Sequence, residues 1–214
     1  MHGSIGETGE VCKPVDIFIH EVYHVIIWNN NGKGDTVKTL FIGNSHTYYN
    51  DMPALYQNMC REHGIDMHVT MLVKGGMGLD YHSDEMQARF NIIYGGYDIV
   101  VLQHRAHPMG EIEDMKRGAK QLIQWVREAG ARAILYQTWA AKGDEAYQPT
   151  MSGVYYDLAA ELGVEVAPVG DEWQRVQKAC PSLNLFHTDG RHASPDGSRL
   201  AARVIFETAF PNLK

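Results

Sequence analysis

Three side chains in this sequence have the types and positions to do covalent chemistry together. An apolar run at residues 37–42 stops at Gly43 and gives way to a polar cluster of Asn44, Ser45, His46 and Thr47. By Asp51 the sequence reads as the start of a helix. A strand that ends in a glycine turn and feeds a helix exposes the turn's side chains at the carboxyl edge of a sheet, where open α/β sheets bind ligands. Ser45 therefore stands where a nucleophile can work, although a serine ahead of a helix also serves as a plain cap. Far along the chain, Asp189 and His192 precede Ser194 and Pro195, which read as an N-cap and first helical residue. On a turn entering a helix, that spacing lets a carboxylate and an imidazole point the same way. The other reading is that Asp189 caps the turn and His192 sits at the surface. A serine hydroxyl is a poor nucleophile until a base takes its proton. The base works better when a carboxylate fixes its tautomer and stabilises its charge. Ser45, His192 and Asp189 supply those parts, in the chain order Ser, Asp, His.

Such residues need a rigid frame, and the hydrophobic pattern describes one. Strands are predicted at 37–42, 66–73, 97–103, 133–138 and 164–168. Between and after them, helices are predicted at about 51–63, 79–93, 111–129, 147–162, 170–179 and 195–210. The first of these helices has Pro53 in its first turn and Gly64 past its end, as helix boundaries favour. The segment 97–103 is continuously apolar in its middle, as a strand buried on both faces should be. Strand–helix alternation of this kind implies a parallel sheet with helices on both faces and right-handed crossovers. The expected architecture is a three-layer α/β/α sandwich with a flavodoxin-like parallel sheet of about five strands, occupying residues 37–214. Residues 1–36 form a separate N-terminal extension, in which 16–28 are rich in strand formers and 29–35 read as a loop.

Composition narrows the function. A chain of 214 residues with 44% hydrophobic and 21% charged residues is an ordinary globular domain in size and balance. A formal net charge of −7 argues against nucleic acid or an anionic membrane as partner, and no apolar run is long enough to span a bilayer. Cys12, Cys60 and Cys180 are odd in number, far apart and without a C-x-x-C, which suits a reducing, cytoplasmic compartment; a secreted chain without its signal would read the same. His20–His24 satisfies H-E-x-x-H, but that zinc signature works only on a helix, and here it lies among strand formers. Neither G-x-S-x-G nor a phosphate-binding glycine motif is present.

The two blocks around Ser45 and His192 resemble those of the SGNH (GDSL-like) hydrolases, a family of lipases and esterases. Gly43-Asn44-Ser45 matches the family's strand ending in G-[DN]-S, and Asp189-Gly190-Arg191-His192 matches its D-x-x-H ahead of the last helix. The resemblance spans about residues 37 to 210. It implies that Ser45 is the nucleophile, His192 the base and Asp189 its orienting partner, with no metal or organic cofactor. It also implies an oxyanion hole built from the backbone of Ser45 and of a glycine in the loop 73–79, for which Gly76 is chosen over Gly75 and Gly78. The family's third block, G-x-N-D, is missing: the strand runs into Gln103, His104 and Arg105 with no Asn. Gln103 offers the same amide on a longer arm and is the expected third donor, with Arg105 and His107 as rivals. Loops carrying His46, Tyr48, Tyr49, His82, Arg105, His107, Trp139 and Lys142 make a polar and aromatic rim. That rim favours a short acyl group such as acetyl, on a carbohydrate or other polar small molecule. The missing Asn favours a rival of another class, a binding module that keeps the fold without catalysis.

Overall fold

The buried strands come from short runs that are apolar on both faces. β1 (Val37–Gly43), β2 (Met67–Val73), β3 (Ile99–Gln103), β4 (Arg132–Tyr136) and β5 (Glu165–Ala167) pair in parallel, in the order β2-β1-β3-β4-β5. The computed structural model describes residues 36–213. The strand segment expected at 16–28, the H-E-x-x-H at 20–24 and the rest of the N-terminal extension lie outside the described residues.

Successive strand residues enter opposite layers, so both faces of the sheet must be covered. Phe41, Val101, Ile134 and Tyr136 pack on one side, while Leu40, Ile42, Val100, Leu102 and Leu135 pack on the other. The first side is covered by α2 (Met52–Glu62), α7 (Val169–Ala179) and α8 (Pro195–Ala209). The second is covered by α3 (Leu79–Asp84), α4 (Met86–Tyr94), α5 (Ile112–Glu128) and α6 (Gln148–Leu162). α5 buries Met115, Gly118, Ala119, Leu122, Ile123 and Val126, an apolar stripe at helical spacing. A Cβ at Gly118 would lie 2.3 Å from the carbonyl carbon of Leu79, so this glycine lets the start of α3 rest on α5.

Two local departures from the sequence pattern matter. The helix expected at 79–93 is two helices, broken at Glu85, whose backbone is extended. No proline or glycine marks the break; α3 and α4 each pack on α5, and tertiary seating decides it. A one-turn helix, α1 (Ser45–Tyr48), also precedes α2. Between them Asn50 and Asp51 both adopt left-handed backbone, with φ of 53° and 55°.

The order of the sheet places the site. The chain leaves β1 for β2 on one side and returns to β3 on the other, so the β1/β3 junction is the switch point of the topology. Crevices open at the carboxyl ends of strands there. Gly43 ends β1 and Gln103 ends β3 at that edge.

Candidate active site

The turn after β1 is held from below. Gln103 is fully buried, and its Oε1 accepts from the Asn44 N–H and the Thr47 hydroxyl, each at 2.9 Å. Its Nε2 donates to the backbone carbonyl of His104. A Cβ on Gly43 would fall 2.5 Å from both Gln103 Oε1 and Thr47 Oγ1, so glycine is needed for the amide to reach the turn. His82 Nε2 pins the Gly43 carbonyl at 2.8 Å. The cap of α1 is Asn44, whose Oδ1 accepts from the His46 N–H at 3.0 Å while its Nδ2 donates to the Met77 carbonyl at 2.8 Å. Asn44 thus takes the capping role that Ser45 could have had, and Ser45 Oγ is left for another partner.

That partner is His192. Its Nε2 lies 2.8 Å from Ser45 Oγ, and its Nδ1 lies 2.5 Å from Asp189 Oδ2. An ionised carboxylate only accepts, so Nδ1 carries the proton and Nε2 is free to accept from the serine hydroxyl. Asp189 bonds both the turn and the ring, with different oxygens. Oδ1 takes the backbone N–H groups of Arg191 and His192 at 2.9 Å each, and Oδ2 takes the ring. Burial alone would raise the Asp189 carboxyl, but the hydrogen bonds from the His192 ring and from these N–H groups hold it well below the usual carboxylate range. Ser194 caps α8 by accepting the Gly197 N–H at 3.1 Å.

A cavity of about 640 Å³ opens beside the serine, lined in part by Ser45, His46, Gly76, Arg105, His107 and His192. Gly76 sits in the turn after β2 with φ of 73°, a conformation glycine adopts freely. Burial, with lesser repulsion from His107 and His192, pushes the His46 imidazole down to about 3. Burial likewise pushes His107 down to about 4. Both rings are therefore neutral near pH 7, and the Nε2 of each is buried without a hydrogen-bond partner. Arg105 faces Asp80 at 3.8 Å and Asp114 at 4.0 Å.

Two expected site residues do not line this cavity. Gln103 is fully buried below this cavity: its oxygen is engaged under the nucleophile's turn and one of its two amide N–H groups bonds the His104 carbonyl. Trp139 is not on a substrate-facing rim. It is buried, stacked on Trp173 with centroids 3.9 Å apart, and donates from Nε1 to the Arg191 carbonyl at 2.8 Å. It props the Asp189–His192 turn from behind. His104 is buried as well; its Nδ1 accepts from the Leu79 N–H at 3.0 Å and its Nε2 bonds the Met109 carbonyl at 2.9 Å. Tyr49, expected on the rim, stacks its ring on His192 at 4.1 Å and 10°. Only the Asn at 50, a residue type that tolerates left-handed backbone, hinted that the chain turns sharply there.

Among the described residues, no helix is long and apolar enough to cross a membrane, and no group of three His, Cys, Asp or Glu gathers as metal ligands. No protein-family model and no curated protein matches the chain in sequence. Solved structures do match it. A protein from Slackia heliotrinireducens described as an SGNH hydrolase superposes with a TM-score of 0.70 at 25% identity, over 82% of this chain and 100% of its own. A DUF4886 family protein from Bacteroides uniformis gives 0.68 at 20% identity, over 81% and 83%. A family 3 carbohydrate esterase from Clostridium thermocellum gives 0.64 at 12% identity, over 84% and 98%.

Proposed function

We propose that this chain, which has the fold of the SGNH (GDSL-like) hydrolases, is a serine esterase. The observation that carries the proposal is the continuous relay from Ser45 Oγ to His192 to Asp189, at 2.8 and 2.5 Å, beside an open cavity. In this reading His192 Nε2 takes the Ser45 proton as Oγ attacks the ester carbonyl. Asp189 holds the imidazolium that results, which gives its proton to the departing alcohol as the ester C–O bond breaks; water, deprotonated by His192, then attacks the acyl-enzyme and frees Ser45 and the acid.

The tetrahedral oxyanion needs donors that are fixed before the reaction. The Ser45 N–H stands at the first position of α1, where no intrahelical acceptor exists, and Gly76, which lines the same cavity, is the second donor in this reading. With Gln103 withdrawn, His107 takes the third place in this mechanism. It lines the cavity and is neutral, and its buried Nε2 has no hydrogen-bond partner among the described residues.

A cavity rimmed by imidazoles and Arg105 suits a compact polar ester better than a long acyl chain. The substrate class we favour is a short acyl ester, such as acetate, on a carbohydrate or other polar molecule. The carbohydrate esterase among the structural neighbours is consistent with that choice.

The test is hydrolysis of 4-nitrophenyl acetate, butyrate and octanoate by the wild type and Ser45→Ala, with and without EDTA. We expect acetate to be the best substrate, activity to vanish in Ser45→Ala and EDTA to have no effect. Equal rates in both proteins would overturn the serine mechanism. Inhibition by EDTA would revive the zinc reading of residues 20–24. His107→Ala is expected to lose about 100-fold in kcat, as removal of one oxyanion donor typically does, and His107→Asn to recover part of it.

A further inference from the structure

Tyr49 has no part in the chemistry above, yet the chain is bent to hold it against the base. Its ring lies nearly parallel to the His192 imidazole, 4.1 Å away, and meets His187 edge-on at 5.6 Å. Directly after it come Asn50 and Asp51, two consecutive non-glycine residues in left-handed backbone, an arrangement that Cβ sterics disfavour. Unfavourable backbone of this kind persists only where the surroundings over-determine it. Here Asn50 Nδ2 donates to the Ala193 carbonyl and to Ser198 Oγ, both at 2.9 Å, and the Ser198 hydroxyl donates to the Tyr49 carbonyl at 3.1 Å. The residue after the base and the residue carrying the stacked ring are therefore tied into one network.

We propose that Tyr49 is a positioning residue for the base, fixing the plane of His192 and stabilising its imidazolium form, with Asn50 as the bridge that keeps the two rings in register. The role in turnover rests on the reading of Ser45, His192 and Asp189 as a hydrolytic triad. A fixed imidazole plane keeps Nε2 aimed at Ser45 Oγ while Nδ1 stays on Asp189. An aromatic face also attracts a cation, so the stack favours the protonated ring that forms as Ser45 attacks. The other groups around His192 act in known directions. Asp189 favours the cation, and His187 approaches the same carboxylate at 3.6 Å. Arg191, on the same turn, opposes it. His46, stacked at 5.0 Å, and His107 are neutral and add no charge near pH 7.

The experiment is a pH profile of kcat/KM together with an NMR titration of the His192 ring, for the wild type, Tyr49→Leu, Tyr49→Phe and Asn50→Ala. Tyr49→Leu is expected to lower kcat about threefold or more with little change in KM, and to move both the acid limb and the ring titration to lower pH. Tyr49→Phe keeps the aromatic face and is expected to restore the wild-type values. Should Tyr49→Leu fail to fold, Asn50→Ala cuts the bridge while keeping the ring, and a smaller shift in the same direction is expected. A wild-type ring titration in the folded Leu variant, or in Asn50→Ala if Leu does not fold, would overturn the proposal. The NMR readout needs no turnover, so a wild type without esterase activity would sink the esterase reading while the titration still decides the stack.

Discussion

Gln103 accepts two hydrogen bonds through one oxygen, from the Asn44 N–H and the Thr47 hydroxyl, with no access to water. Removing that oxygen strands two buried donors, at about 1–3 kcal/mol for each group left unmade. Gln103→Leu is therefore expected to lower the free energy of unfolding by roughly 2–6 kcal/mol in a urea titration. It should also slow labelling of Ser45 by a fluorophosphonate, because the turn that presents the serine loses its support. This residue also marks the boundary of what sequence discloses. Ser45, Asp189 and His192 are legible because their chemistry is local: a turn ahead of a helix, and a carboxylate three residues before an imidazole. Gln103 and Trp139 have suitable chemistry for a site, but type says nothing of direction. Gln103 folds back under Gly43, and Trp139 turns inward to Trp173. Those orientations are set by neighbours 59 and 34 residues away in the chain, which no local pattern contains.

At the scale of elements, the strands were readable because double-sided burial demands unbroken apolar runs, and the order of alternation fixes a parallel sheet. The break at Glu85 and the single turn of α1 were not readable. One is decided by the seating of α3 and α4 on α5, and the other is too short to show a period. Two glycines carry the packing of these elements. Gly43→Ala places a methyl 2.5 Å from both Gln103 Oε1 and Thr47 Oγ1. Overpacking of that kind costs about 1–3 kcal/mol, and here it displaces the turn as well. The expected result is a lower urea midpoint together with loss of the proposed esterase activity. Gly118→Ala meets the backbone of Leu79 at 2.3 Å, away from the chemistry. It is expected to destabilise the fold by a similar amount while the folded fraction keeps its kcat. The pair separates damage to the frame from damage to the site.

For the molecule as a whole, pH should act through its buried histidines. His46 and His104 are pushed by burial from 6.5 to about 3 and about 4. Between 6.5 and those values the unfolded chain binds protons that the folded chain refuses, so stability falls as pH falls through that window and is fully present above it. Urea midpoints are expected to drop between pH 7 and pH 4.5, before most carboxylates protonate, and His46→Gln should flatten that slope. A further consequence lies in the distance between the reacting partners along the chain. Ser45 and His192 meet across 147 residues, and the Asn50 bridge to Ala193 spans 143. In the proposed mechanism, the nucleophile and the base that activates it are brought together only by the tertiary fold. In that reading the docking of α8 closes this long loop and brings His192 to the serine. Reactivity at Ser45 is then expected to gauge completed folding and to be silent in a chain cut before residue 189.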